Sequence, residues 1–102
     1  MLRVPAIVAP MNSRIFGKTG RVVGEVGLGT WQIGGNWGDV PDETGLAVLR
    51  TAYELGTTFF DTADVYGSGR SEELIGKFLK ESKARDRLFI ATKLGRRGDP
   101  GW

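Results

Sequence analysis

The chain has 102 residues, of which 40% are apolar and 25% are charged, and this composition is typical of one small globular domain. Its 14 basic and 12 acidic residues give a net charge of +2 and are mixed along the chain, so the sequence shows no basic stripe that would bind DNA or RNA. The absence of cysteine and histidine excludes disulfides, thiolate and imidazole metal sites, catalytic thiols and a Ser-His-Asp triad, and we therefore expect no metal.

The chain begins with a segment that we interpret as separate from the domain. Residues 1–11 are either an extension or a mis-called start. The apolar run at positions 4–10 is too short, and too broken by proline, to span a membrane or to form the core of a signal peptide. We therefore place the domain at residues 12–102 and expect a cytoplasmic protein that does not contact a membrane.

A β-hairpin and a short strand are predicted next. Two strand-like runs, residues 14–16 and 21–23, flank a loop whose two glycines tolerate the backbone angles of a tight turn. Residues 25–29 form a short run that we interpret as a buried strand. The glycine-rich loop that follows carries two large flat side chains, Trp31 and Trp37.

A helix is predicted from Pro41, because proline suits the first helical turn and the two acidic residues after it suit the positive end of the helix dipole. Its apolar side chains recur at helical spacing at Leu46, Leu49, Ala52 and Tyr53. Gly56 is a natural end for this helix. Residues 57–60 are β-branched and aromatic, which predicts a strand that ends at Asp61.

A second helix is predicted from Ser71, a residue type favoured at helix starts, to the basic residues near Lys83. We interpret residues 67–71 as a flexible loop that leads into this capped helix. Residues 88–92 are apolar at nearly every position, which predicts a strand buried on both faces. The order of hairpin, strand, helix, strand, helix and strand predicts an α/β fold with parallel βαβ units.

Three residues suited to acid-base chemistry are predicted to meet at one end of the sheet. Asp61 closes one strand and Lys93 closes the next, and neighbouring parallel strands place their carboxyl ends side by side, where α/β enzymes have their sites. Tyr66 lies in the loop over that end. We interpret Tyr66 as a proton donor, because a lysine cation favours the phenolate form of a nearby phenol, with Asp61 orienting Lys93. The alternative is structural: Asp61 caps a turn, Tyr66 packs on the surface and Lys93 is solvated.

Several segments resemble the aldo-keto reductase superfamily and occur in that family's order. Residues 59–67 (Phe-Phe-Asp-Thr-Ala-Asp-Val-Tyr-Gly), with residues 69–72 (Gly-Arg-Ser-Glu) beyond them, are similar to its signature segment. Residues 27–31 (Gly-Leu-Gly-Thr-Trp) resemble its first strand and loop, and residues 90–93 (Ile-Ala-Thr-Lys) resemble its third strand. The hairpin is similar to the one that closes the bottom of the family's barrel. The resemblance runs from about residue 12 to residue 95.

This resemblance implies a (β/α)8 TIM barrel, of which the chain would form the N-terminal portion with its β-hairpin and about three βα units. It also implies an oxidoreductase that reduces aldehydes or ketones, a small-molecule carbonyl substrate, with NADPH or alternatively NADH.

The resemblance also implies roles for individual residues. The catalytic residues would be Asp61, Tyr66 and Lys93. The cofactor-binding residues would be Gly29, Thr30, Trp31 and Asp61. Trp31 and Trp37 are candidate walls of the substrate pocket, and simple packing is an equally good interpretation of Trp37.

The chain departs from the family in two respects. The family's fourth catalytic residue is a histidine, which this chain lacks, and a complete barrel takes about 250 residues, of which this chain supplies about three of the eight strands. We therefore expect the chain alone to be inactive or nearly so. Two alternatives remain open: a non-catalytic regulatory protein similar to the family's ion-channel β-subunits, and a truncated inactive product. The sequence leaves open the substrate, the choice between NADPH and NADH, and the oligomeric state.

Overall fold

The computed structural model describes residues 11–35 and 38–96, which form a β-hairpin and a parallel sheet covered by two helices. The strands are β1 (Ser13–Ile15), β2 (Val22–Gly24), β3 (Leu28–Gly29), β4 (Phe59–Asp61) and β5 (Phe89–Ala91). The helices are α1 (Asp42–Glu54) and α2 (Arg70–Ser82). Trp37 and all of the predicted extension except Met11 lie outside the described residues.

The strands β1 and β2 pair in antiparallel fashion, with Arg14 opposite Val23. The loop between them turns through Gly17 and Gly20, whose φ angles are 54° and 74°. These angles lie in the left-handed region, which glycine adopts without steric cost. The predicted hairpin is confirmed.

The strands β3, β4 and β5 form a parallel sheet in chain order. Gly29 lies opposite Asp61, and Asp61 lies opposite Ala91. Parallel neighbours need a crossover connection, and α1 and α2 supply the two crossovers. The predicted α/β order is confirmed, and the register brings the carboxyl ends of all three strands to one edge.

The first strand is shorter than predicted. Residues 25–29 were expected to form a buried strand, but β3 contains only the last two of them, and Val26 is 61% exposed. The reason is that Glu25 stays with the hairpin, where its N–H donates to the carbonyl oxygen of Asn12 over 2.8 Å. The chain leaves the hairpin only after that bond, so the parallel pairing begins late.

The two faces of the sheet are covered unequally. Phe60 faces the helices and is fully buried. On the opposite face, Phe59 stacks on Phe89 with ring centroids 5.1 Å apart, and Phe16 of the hairpin loop contacts both rings. All three residues of β5 are only half-buried. The prediction of a strand buried on both faces at residues 88–92 is therefore wrong, because the helices cover one face and the hairpin loop covers the other only partly.

The helices pack against each other and against the inner face of the sheet to form the core. The core residues are Ile33, Leu46, Leu49, Phe60, Leu74, Ile75, Phe78, Ala84 and Leu88. Ala52, Tyr53 and Leu79 are partly buried against this cluster. The apolar faces predicted for both helices are thus confirmed.

The helix ends agree with the sequence in one case and not in the other. Helix α1 starts directly after Pro41 and ends before Gly56, whose φ is 97°. Helix α2 starts after Gly69, with a φ of 100°, and its N-terminus has no side-chain cap. The predicted capping role of Ser71 is wrong: this residue lies inside the first turn, is fully buried, and its hydroxyl bonds to another part of the chain.

An exposed ion-pair cluster joins the two helices. Asp42 at the start of α1 accepts hydrogen bonds from Arg70 over 2.8 Å and from Lys77 over 3.3 Å. These bonds, that from Arg70 first, hold the pKa of Asp42 below its ordinary value of 3.8. A lowered pKa means that the contribution to stability is present at neutral pH and is lost as the pH falls through the pKa of the folded state. Because the cluster is exposed, this contribution is small.

Each helix has 13 residues, whereas crossing a bilayer takes about 20 apolar residues. No helix within residues 11–35 and 38–96 is long and apolar enough to span a membrane.

Replacing Leu49 with alanine tests the core. Leu49 is fully buried, so the substitution leaves a cavity, and we expect the free energy of unfolding to fall by about 2–5 kcal/mol. Urea denaturation followed by circular dichroism measures the loss. Leu55→Ala is the matched control, because Leu55 is 38% exposed and a surface truncation costs little. Equal losses in the two variants would contradict the described core.

Candidate active site

Asp61 and Lys93 form an ion pair at the carboxyl ends of β4 and β5. Lys93 Nζ lies 3.1 Å from Oδ1 and 3.0 Å from Oδ2 of Asp61, and 2.7 Å from the carbonyl oxygen of Thr62. Asp61 is the last residue of β4 and lies opposite Ala91, the last residue of β5. The parallel register therefore brings the acid and the base together, as the strand order predicts.

Tyr66 completes the cluster from the loop after β4. Its hydroxyl oxygen lies 3.2 Å from Lys93 Nζ, and the ammonium lies 5.0 Å from the centroid of the phenol ring. A lysine ammonium has three hydrogens to donate, and Lys93 has three partners in Asp61, Thr62 and Tyr66. The Lys93 side chain is 53% exposed, and its ammonium is hydrogen-bonded to these three partners.

The ion pair keeps Lys93 charged. Partial burial lowers the pKa of the ammonium, but hydrogen bonds to Asp61 and Tyr66 outweigh that effect, so the pKa of Lys93 is raised above its ordinary value of 10.5. Lys93 is therefore a cation at neutral pH. Because the pKa is raised on folding, the stabilisation is complete below the ordinary pKa and is lost as the pH rises through the raised one.

An aromatic stack holds the Tyr66 ring. The indole of Trp31 lies nearly parallel to it, with ring centroids 5.7 Å apart and an interplanar angle of 16°. Such stacked pairs add about 0.5–1.5 kcal/mol beyond the apolar area they bury. The loops after β3 and β4 are thus joined through their aromatic side chains directly above the ion pair.

The same two loops touch through their backbones. A Cβ atom added at Gly34 would lie 2.8 Å from the nitrogen of Gly67 and 2.9 Å from the carbonyl carbon of Tyr66. A Cβ atom added at Gly67, whose φ is 62°, would collide with the carbonyl oxygen of Gly34. Only glycine at both positions lets the loop after β3 and the loop that carries Tyr66 approach this closely.

Sequence reasoning missed Arg70, which ties the loop after β3 to α2. Its guanidinium donates to the carbonyl oxygen of Ile33 over 3.3 Å, to that of Val40, and to the carboxylate of Asp42. The planar fork of arginine suits several acceptors at once. In the sequence, Arg70 is part of the segment that resembles the family's signature, and it is a basic residue at the start of a helix, where the dipole disfavours it.

The residues predicted to bind a cofactor differ in accessibility. At Gly29 the space that a side chain would fill is open, and Trp31 is 42% exposed. Thr30 is fully buried, and its hydroxyl donates to the carbonyl oxygen of Asp61 over 2.9 Å. The Thr30 side chain therefore supports the strand end beneath the site and has no surface to offer a ligand.

Sequence reasoning also missed the buried partners of Thr30. Ser71 lies 2.7 Å from the Thr30 hydroxyl and 3.0 Å from that of Thr62. The signal was present in the sequence as a threonine directly after each of two predicted strands, but its meaning depends on where α2 packs.

The sequence model of the aldo/keto reductase family matches residues 25–102. The chain is similar to the aldo-keto reductase YhdN of Bacillus subtilis (strain 168), with 46% identity over 76 residues, or 74% of this chain and 23% of that protein. It is also similar to the Schizosaccharomyces pombe aldo-keto reductase yakc, whose name specifies NADP(+), with 39% identity over 75 residues, or 74% of this chain and 22% of that protein.

A solved structure shows the same architecture. The described fold is similar to the holo form of aldo-keto reductase AKR11C1 from Bacillus halodurans, with a TM-score of 0.76 and 32% identity over 90% of this chain and 30% of that one. Such structures are TIM barrels, so the hairpin, the parallel strands and the two helices correspond to part of a barrel. The chain spans 22% to 26% of the length of the curated relatives that it matches.

Replacing Asp61 with asparagine tests the ion pair. The variant loses the carboxylate that favours the cation, so we expect the pKa of Lys93 to fall relative to the unsubstituted chain. Titration of the Lys93 side-chain resonances by NMR measures the change. Asp42→Asn is the control, because it removes a paired carboxylate from another part of the surface. An unchanged Lys93 titration in Asp61→Asn would show that the two residues are not paired in solution.

Proposed function

The chain belongs to the aldo/keto reductase family, and we propose that Asp61, Tyr66 and Lys93 are the proton-transfer residues of a site that reduces aldehydes or ketones to alcohols with NADP(H). The observation that supports this most directly is the position of Lys93 Nζ, within 3.2 Å of both the Asp61 carboxylate and the Tyr66 hydroxyl. The chain covers about a quarter of its relatives (22% to 26%), so the activity is proposed for a protein in which the rest of the barrel is also present.

In this proposal Tyr66 is the general acid. Reduction of a carbonyl needs a proton at its oxygen as negative charge develops there, and a positioned side chain supplies that proton. The Lys93 cation beside the phenol stabilises the phenolate that remains after the transfer. Asp61 orients the ammonium through both of its carboxylate oxygens, and its negative charge keeps the lysine protonated.

The residues around Tyr66 fit a nicotinamide cofactor. Trp31, which stacks on Tyr66, offers a half-exposed, flat indole, and Gly29, which lies opposite Asp61, leaves open space; a planar ring can lie against such a surface. When bound, NADPH supplies the hydride that reduces the carbonyl carbon. The preference for NADP(H) rests on the family and on relatives such as yakc, whose name specifies NADP(+). The proposed contacts of this chain are Gly29, Trp31 and Asp61, with Thr30 in a supporting role below them.

We also propose that the 102-residue chain alone turns over little or no substrate. The side chains of Asp61 and Lys93 are 41% and 53% exposed, so water screens the charges that catalysis needs. The sequence also contains no histidine to act as the fourth catalytic residue that the family uses. Both deficiencies would be corrected by the remaining elements of a barrel.

A chimera tests the role of Tyr66. Residues 25–96 replace the aligned segment of the Bacillus subtilis relative YhdN, and NADPH-dependent reduction of an aldehyde such as 4-nitrobenzaldehyde is followed by absorbance. We expect the chimera to be active, and Tyr66→Phe to lower kcat by about 100- to 10,000-fold, because it removes only the proton donor. The dissociation constant of NADPH should remain near its original value.

Tyr53→Phe is the matched control for this experiment. Tyr53 is the other tyrosine of the chain; it lies near the C-terminus of α1, and its hydroxyl accepts a hydrogen bond from Arg87, which precedes β5. The control variant should keep full activity. If Tyr66→Phe and Tyr53→Phe behave alike in an active chimera, Tyr66 is not the general acid. If the chimera binds NADPH but reduces no carbonyl compound, the regulatory alternative gains support.

The isolated chain is tested in the same assay. We expect the purified 102-residue protein to oxidise NADPH no faster than buffer does in the presence of the same aldehyde. Fluorescence titration with NADPH should show weak binding at most. A clear rate that disappears in Tyr66→Phe would show that these residues suffice without the rest of a barrel.

A further inference from the structure

A threonine directly follows each of the three parallel strands. Thr30 follows β3, Thr62 follows β4 and Thr92 follows β5. Because the strands are parallel and in register, the three residues lie at the same edge of the sheet. We call these residues the threonine layer.

The first turn of α2 binds all three members of the threonine layer. The Ser71 hydroxyl lies 2.7 Å from the hydroxyl and 2.9 Å from the carbonyl oxygen of Thr30, and 3.0 Å from the Thr62 hydroxyl. The next residue, Glu72, accepts a hydrogen bond from the Thr92 hydroxyl over 2.5 Å. Two consecutive residues of one helix therefore join the ends of three strands.

Hydrogen counting gives the buried bonds a direction. Each hydroxyl has one hydrogen to donate. Thr30 donates its hydrogen to the carbonyl oxygen of Asp61, and Ser71 donates to Thr30, so Thr62 must donate to Ser71. Thr30, Thr62 and Ser71 are each at most 2% exposed. Loss of one of their hydroxyls would therefore leave a buried partner without its hydrogen bond.

The threonine layer lies directly beneath the proposed proton-transfer residues. Asp61 precedes Thr62 and Lys93 follows Thr92 in the chain. The backbone oxygen of Asp61 accepts bonds from both the N–H and the hydroxyl of Thr30, and the backbone oxygen of Thr62 accepts one from Lys93. The backbone that carries the Asp61 and Lys93 side chains is thus joined to α2 through the hydrogen bonds of the threonine layer.

We propose that Ser71 and Glu72 are positioning residues, which fix the Asp61 carboxylate and the Lys93 ammonium relative to each other through the threonine layer. The proposal rests on the proton-transfer roles given above to Asp61, Tyr66 and Lys93. Helix α2 can fix these positions because its side chains Leu74, Ile75 and Phe78 are buried in the core, where they pack the helix against the sheet. Ser71 and Glu72 do not touch the substrate in this proposal.

The test uses NMR of the 102-residue chain with labelled lysine and tyrosine. Lys93 and the Tyr66 ring are close enough for a nuclear Overhauser effect, which reports their relative position without any catalysis. We expect Ser71→Ala to abolish this effect and to lower the pH at which Lys93 titrates. The charged and titratable groups that face Lys93 are Asp61 and Tyr66, and both remain in the variant. Ser82→Ala is the control, because Ser82 lies at the other end of α2, where its hydroxyl donates to the carbonyl oxygen of Phe78 and accepts from the N–H of Ala84 just beyond the helix.

A second pair of variants covers the case in which Ser71→Ala fails to fold. Thr92 is exposed, so Thr92→Val removes its hydroxyl at nearly constant shape, and Thr92→Ser retains the hydroxyl. We expect the nuclear Overhauser effect between Lys93 and the Tyr66 ring to be lost in the valine variant and retained in the serine variant. If Thr92→Val, or a folded Ser71→Ala, retains the effect and the Lys93 titration of the unsubstituted chain, the proposal is overturned.

Activity of the chimera separates this proposal from the proposed function. A displacement of about 1 Å can cost on the order of 100-fold in rate, so Ser71→Ala in the chimera should lower kcat by about that factor and leave NADPH affinity unchanged. An inactive chimera with the NMR changes as expected would contradict the proposed function alone. An active chimera with no NMR change in the variants would contradict the positioning roles alone.

Discussion

The in-register parallel pairing of β4 with β5 is the constraint on which the candidate site depends. Asp61 lies opposite Ala91, so Asp61 at the end of β4 and Lys93 just beyond β5 reach the same edge. They form an ion pair although they lie 32 positions apart in the chain. A slip of one residue would turn every side chain of a strand to the other face. The stacked pair Phe59 and Phe89 and the buried Phe60 oppose such a slip from the two faces of the sheet.

Much of this arrangement could be predicted from the sequence, because the signals are local. Each of these signals depends on near neighbours in the chain: the glycines of the hairpin loop, the proline before α1, the helical spacing of the leucines, and the β-branched and aromatic run before Asp61. The meeting of Asp61 and Lys93 was also predictable, since it needs only the rule that parallel strands end at one edge. The catalytic roles of these residues are a separate matter, and they stay predictions.

The remaining features depend on contacts between distant segments, which spacing in the sequence does not reveal. Glu25 was predicted to be the first residue of the strand at 25–29. Its backbone instead bonds to Asn12 of the hairpin, so β3 is shorter than predicted. Ser71 has the residue type of a helix cap, yet the packing of α2 on the sheet turns its hydroxyl toward Thr30. The contact of Gly34 with Gly67 has no local signal beyond the glycines themselves. In each case tertiary packing overrides what the residue type alone favours.

The direction of the buried hydroxyl bonds also limits where protons can be transferred. The series runs from Thr62 through Ser71 to Thr30 and ends at the backbone carbonyl of Asp61, an oxygen that accepts a hydrogen bond but has no hydrogen to pass on. The series therefore cannot relay protons, although it lies directly below Asp61 and Tyr66. The series cannot return a proton that the proposed reaction would take from Tyr66, so that proton would come from the exposed side of the site, where the Lys93 side chain is 53% exposed.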